Sequence, residues 1–225
     1  MIRGPLTVLM LRLGAVGVIY TLTRLLFTWL NADLFPAVPF SSFLGGMRFD
    51  AFAITWTNLP WVLLILIHPS PTNSLFRRIQ LGVFLFVNAI ALFFQFVDLE
   101  YYTFTLKRST ADLFRIMTKG NDTANLAPVF IRDYWYILVL YVIAIFALAK
   151  AFRLAERFSG DPLKKWPWRI GWRLVAVAGL LIASRGGVQL IPLQVLDAAR
   201  YGGAENLPVT LNTPYTIMTS VGKPT

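Results

Sequence analysis

Ile79–Val97 reads IQLGVFLFVNAIALFFQFV, with Arg77 and Arg78 immediately before it and Asp98 immediately after. No charged side chain interrupts it. A helix needs about 17–25 predominantly apolar residues to cross a hydrocarbon core of about 30 Å, and this run supplies them in one piece. Four further apolar stretches occur: Leu6–Leu30, Phe49–Ile67, Tyr134–Ala149 and Ile170–Ser184. The first two of these are long enough alone. Tyr134–Ala149 becomes long enough if Pro128–Asp133 leads into it, and Ile170–Ser184 if Arg185 snorkels outward. The expected fold is all-α, a polytopic bundle of five transmembrane helices.

The connections orient it. Between the second and third stretches lie Arg77 and Arg78 with no acid. Between the fourth and fifth lie Lys150, Arg153, Arg157, Lys164, Lys165 and Arg169, against Glu156 and Asp161. The first connection, Asn31–Met47, has no Lys or Arg, and in Asp98–Asp133 five bases are cancelled by five acids. Lys and Arg near span ends mark the cytoplasmic side, which predicts an N-in, C-out chain. Arg12 and Arg24 interrupt the first stretch and are expected to snorkel to opposite interfaces. That stretch is about twice as long as a signal-peptide core and lacks an Ala-x-Ala-like exit, so it reads as a retained span.

Composition agrees. Hydrophobic residues make up 56% of the chain and charged residues 14%, where a soluble chain carries about 25% charged. The net charge of +10 falls at span ends, which suits topology and anionic lipid rather than nucleic acid. With no cysteine and one histidine, disulfides, thiol catalysis and a multi-histidine metal cage are excluded. His68, beside Pro69 at a span end, reads as a solvated loop residue. Trp29, Trp61, Tyr134, Trp135, Trp166, Trp168 and Trp172 lie near span ends, as interfacial aromatic belts do.

The long outer loop predicts a short amphipathic surface helix. Ser109 with Asp112 resembles a capping box, and Leu113, Ile116 and Met117 follow as an apolar face. Residues 1–190 are expected to form the transmembrane domain and residues 191–225 an extracytoplasmic linker, because Tyr201–Thr225 is rich in Gly, Pro, Asn and Thr. No nucleophile motif, phosphate loop or histidine metal motif occurs. Arg48 and Asp50, at the outer start of the second span, are the ionisable candidates. Arg108 and Arg185 share their expected side, and an arginine there binds a phosphate bidentately. Arg48, Asp50, Arg108 and Arg185 are therefore the candidates for contact with a phospholipid headgroup. Asn58, Asn88 and Gln95 lie inside spans, where interhelical hydrogen bonds are the ordinary explanation.

Three segments resemble lipoteichoic acid synthase-like proteins of the alkaline phosphatase/sulfatase superfamily. They are Gly46-Met47-Arg48-Phe49-Asp50, then Asp98–Phe104 with Lys107–Asp112, and then Arg185–Pro192 with Asn206–Pro208 and Leu211–Ile217. The resemblance implies five membrane helices in a bacterial cytoplasmic membrane, followed outside by a catalytic domain with a metal-activated threonine. That domain would transfer phosphoglycerol or a related headgroup from a phospholipid, and a divalent metal such as manganese would belong to it. The sequence reaches Thr225 before such a domain begins, and no metal-ligand set accompanies Thr225. The expected role is thus that of membrane anchor and lipid-facing domain. Its partners would be membrane phospholipid and a missing or separately encoded catalytic domain. The alternative is a stand-alone integral membrane interaction protein that docks a separate extracytoplasmic partner.

Overall fold

A computed structural model describes residues 4–68, 73–113, 132–159 and 166–222. The long helices are α1 (Pro5–Leu30), α2 (Phe40–Thr57), α3 (Leu59–Ile67), α4 (Ser74–Thr105), α5 (Trp135–Ala155) and α6 (Trp166–Arg185). Among the described residues no strand occurs. Pro5 starts α1, where a missing N–H costs nothing. Asn73 caps α4, its side chain accepting from the Leu75 amide at 2.8 Å. The 32 residues of α4 extend about 48 Å at 1.5 Å per residue, well beyond the hydrocarbon thickness. Its last turns therefore carry Asp98 and Tyr102 past the apolar body to one end of the bundle.

α1 is the central element and packs against α2, α4 and α5. Val16, Tyr20 and Phe27 of α1 are fully buried. At the end near Arg12, Trp61, Phe84 and Phe152 interlock, with centroid separations of 5.1 Å for Trp61–Phe84 and for Phe84–Phe152. At the other end Phe27, Phe35 and Tyr102 form a second ring cluster, Phe27–Tyr102 being edge-on at 5.0 Å.

Among the described residues three helical segments are long and apolar enough to cross a membrane: Pro5–Leu30, Ser74–Thr105 and Trp135–Phe158. A fourth is added if α2 and α3, bent by 64° at their junction, are one broken span. The bend has local causes. Pro60 lacks an N–H, Thr57 Oγ1 donates back to the Ala53 carbonyl at 2.8 Å, and Asn58 Nδ2 donates to Ile54 O at 3.0 Å. Asn58 and Asn88 then donate to each other's side-chain oxygens at 3.1 and 2.7 Å across α2 and α4. α6 falls outside this set, since Arg173 confines its uninterrupted apolar run to Leu174–Ser184.

Two expectations need correction, and a third falls outside the described residues. Arg12 and Arg24 do not snorkel outward; they are 2% and 3% exposed. Arg12 lies 3.4 Å above the Phe152 ring, donates to the Phe152 carbonyl at 3.3 Å and pairs with Glu156 at 3.4 Å. Each arginine found acceptors inside the bundle, so reaching water was unnecessary.

The segment expected as an extended linker is folded. Val195–Ala198 is a 3₁₀ turn, followed by α7 (Ala199–Gly202), α8 (Leu207–Thr210) and α9 (Thr213–Ser220). Pro208 and Pro214 open α8 and α9, and Asn212 caps α9 by accepting from the Tyr215 amide at 2.8 Å. Val209 through Thr216 are all buried, against α1, α2 and α4.

The surface helix with Ile116 and Met117 lies outside the described residues. Its expected cap, Ser109, turns inward instead: its hydroxyl donates to Asp98 at 2.6 Å.

Candidate functional site: a buried charge network at one end of the bundle

The end of the bundle that holds Phe27 and Tyr102 also gathers two ion pairs. Asp50 sits on α2 one turn after Gly46, and Arg24 faces it from α1. The guanidinium grips the carboxylate bidentately, Nη1 to Oδ2 and Nη2 to Oδ1, both at 2.6 Å. Such a fork matches carboxylate geometry and gives the strong class of hydrogen bond. The other donors of Arg24 reach backbone carbonyls: Nε to Val209 at 2.9 Å, and Nη2 to Gly46 at 3.1 Å and Thr210 at 3.4 Å. Asn212 Nδ2 donates to Asp50 Oδ1 at 2.9 Å. Arg24 and Asp50 therefore hold α8 and the start of α9 down on α1 and α2.

Gly45 and Gly46 permit this approach. A Cβ on Gly46 would stand 2.4 Å from Arg24 Cζ, and one on Gly45 2.2 Å from the Tyr201 ring.

The second pair is Asp98 and Arg108. α4 ends with Leu106 in the left-handed region (φ 52°), which turns the chain back so that Arg108 returns to Asp98. Arg108 Nη1 lies 3.4 Å from Asp98 Oδ2, Nε donates to Pro208 O at 2.8 Å, and the guanidinium covers the Phe27 ring at 3.6 Å. Asp98 also accepts from the Ser109 amide at 3.1 Å, the Ser109 hydroxyl, and the Thr213 hydroxyl at 2.7 Å. Burial lowers the pKa of Arg108 from its ordinary value, and Asp98 opposes that shift. Tyr215 is pinned by its hydroxyl to Leu193 O at 2.8 Å, with Phe49 and Phe52 edge-on at 4.9 and 5.0 Å. Burial raises its pKa, and Asp197 adds to the rise.

The four residues singled out from sequence thus divide. Asp50 and Arg108 are buried and committed to internal partners. Arg48 and Arg185 instead meet at the turn after α6. Arg48 is half-buried, donating to Gly186 O, to the Tyr201 hydroxyl at 2.9 Å and to Gln189 Oε1. Arg185 is exposed and donates to the carbonyls of Gln189, at 3.2 Å, and Leu190.

Sequence reasoning missed Arg24 as the partner of Asp50, and Asn212 and Thr213 as part of the network. The available signal was two opposite charges stranded in or beside apolar runs, which at membrane depth seek each other. Among the described residues no group of three or more His, Asp or Glu side chains is placed to hold a metal. What the network does chemically is neutralise two carboxylates and lock a terminal segment; each carboxylate has its oxygens occupied.

Fold and network together define an all-helical bundle of membrane-spanning character, closed at one end by its own C-terminal segment. No protein-family model, curated protein or solved structure matches the chain.

Proposed function

We propose that the chain is the membrane anchor and lipid-facing domain of a lipoteichoic acid synthase-like phosphoglycerol transferase or sulfatase-family enzyme, in a bacterial cytoplasmic membrane. The observation that carries this reading is the docking of Leu193–Ser220 onto the bundle through Arg24–Asp50–Asn212 and Arg108–Asp98–Thr213. An enzyme domain joined to, or docked on, that segment is held at a fixed height over the membrane. Tethering concentrates a lipid substrate around such a site without any new contact. Arg48 and Arg185, at the rim, are the residues of this chain offered to a headgroup phosphate. The divalent metal belongs to the catalytic domain.

Five crossings, N-in and C-out, are part of the proposal. Arg173 on α6 donates to Leu66 O at 2.7 Å, and Gln80 on α4 to His68 O at 2.8 Å, at the end opposite Arg48 and Gly186. The proposal counts α2 and α3 as one pass and α6 as another, beside α1, α4 and α5. A reporter fused after Thr225 is expected to be active only outside the cytoplasm.

The decisive test compares two preparations for manganese-dependent cleavage of a phosphodiester and a phospholipid. One is the protein carrying these residues isolated from native membranes; the other is the purified 225-residue chain. Turnover in the first alone is expected. Turnover by the purified chain would put the site on these residues, and silence in both would remove the enzyme reading.

A further inference from the structure

The turn that follows α6 presents an apolar tip on a polar frame. Beneath it, Arg48 donates to Gly186 O and Gln189 Oε1, Arg185 donates to the carbonyls of Gln189 and Leu190, and Gln189 Nε2 returns a bond to Arg185 O at 2.9 Å. Gly186 and Gly187 take positive φ, 72° and 138°, and make the tight reversal. The frame satisfies the backbone and leaves the side chains between its polar members outside. Val188 is 88% exposed, Leu190 93% and Ile191 66%.

A water-facing turn has no physical reason to hold three large aliphatic side chains outward on braces of this kind. The surroundings identify what covers them. α6 runs into the turn with Leu174, Val175, Leu181 and Ile182 exposed along its length, as a helix facing acyl chains would be. Trp56, half exposed on α2, donates its indole N–H to Ser184 O at 3.2 Å, which ties the last turn of α6 to α2. Two guanidinium groups flank the tip, which suits anionic phospholipid. A second copy would instead bring the same cationic collar face to face with itself.

We propose that Val188, Leu190 and Ile191 form a wedge inserted into the headgroup–acyl boundary of the leaflet at this end, with Arg48 and Arg185 at phosphate level. The wedge fixes the depth of the bundle and of the docked C-terminal segment in the bilayer. It rests on the membrane character of the bundle and stands whether or not the enzyme reading does.

The chain has no native cysteine, so single cysteines at Val188, Leu190 and Ile191 report alone. Each is spin-labelled in the full chain, reconstituted into vesicles of phosphatidylglycerol and phosphatidylethanolamine. Collision with oxygen is then compared with collision with a water-soluble nickel chelate. Glu205→Cys, on an exposed turn at the same end, is the aqueous reference. The expected result is an oxygen-to-nickel ratio several-fold higher at all three wedge positions than at Glu205. A ratio equal to that of Glu205 overturns the wedge. Exclusion of both reagents, with dipolar broadening that vanishes on dilution with unlabelled chain, overturns it in favour of a contact between copies. The three sites are on the surface, so loss of fold is not expected, and an unchanged unfolding midpoint in detergent checks each variant.

Discussion

Arg24→Ala is the perturbation that separates an ion pair holding the bundle closed from one that is merely present. The guanidinium makes two 2.6 Å bonds to Asp50 and donates to the carbonyls of Val209, Gly46 and Thr210. Without it Asp50, 3% exposed, keeps among the described residues only Asn212 as a hydrogen-bonding partner. Stranding one member of a buried pair costs about 3–5 kcal/mol, a large part of a total stability of about 5–15 kcal/mol. Removing both charges, as in Arg24→Met with Asp50→Leu, spares the stranded carboxylate. It still leaves Asn212 and the backbone carbonyls short of partners, at about 1–3 kcal/mol. The double variant is therefore expected to be more stable than Arg24→Ala. Equilibrium unfolding in mixed micelles gives the energies, and hydrogen exchange over Leu207–Thr216 reads the segment itself. In Arg24→Ala those amides are expected to lose protection before α4 does. A cost below about 1 kcal/mol, or amides that open only with the whole bundle, would refute the reasoning.

Asp98→Asn leaves Arg108 charged and buried and removes an acceptor from Ser109 or Thr213; a loss of about 3 kcal/mol in the same unfolding assay is expected. Gly46→Ala drives a methyl into Arg24 and is expected to cost about 1–3 kcal/mol. Gly82→Ala on α4, where the new Cβ meets nothing within 4 Å beyond its own stretch of helix backbone, should gain up to about 1 kcal/mol. Leu106→Gly relieves a left-handed leucine whose side chain is exposed; thermal unfolding in detergent is expected to show a gain of up to about 1 kcal/mol.

The long helices were legible because an uncharged run such as Ile79–Val97 has few other fates, and it forms the middle of α4. The break in the second stretch was less so. Asn58 and Pro60 look like tolerated polar and kinking residues until Asn88, 30 positions away, is seen to complete the junction. Arg24 and Asp50 were visible as misfit charges, but nothing local says that they face each other.

The C-terminal segment was misread for a physical reason. Proline, glycine and asparagine signal linkers in bulk, yet singly they are helix starts: Asn212 and Pro214 open α9. Composition averages away the positions that matter. Arg48 and Arg185 bond at the same turn after α6, whereas the inward turn of Arg108 depends on the return made at Leu106.

The network has a temporal side. Arg24, Asp50 and Asp98 are synthesised long before Val209, Asn212 and Thr213, and the Arg24–Val209 bond joins positions 185 residues apart. Until those late residues emerge, the two ion pairs have each other but lack the bonds they make to Val209, Asn212 and Thr213. Water or the insertion machinery must solvate them in the interval. Closure of that end joins residues far apart in sequence, and non-local contacts form slowly. A quality-control system that recognises exposed polar groups in a membrane would therefore see this bundle as open until α8 and α9 have docked.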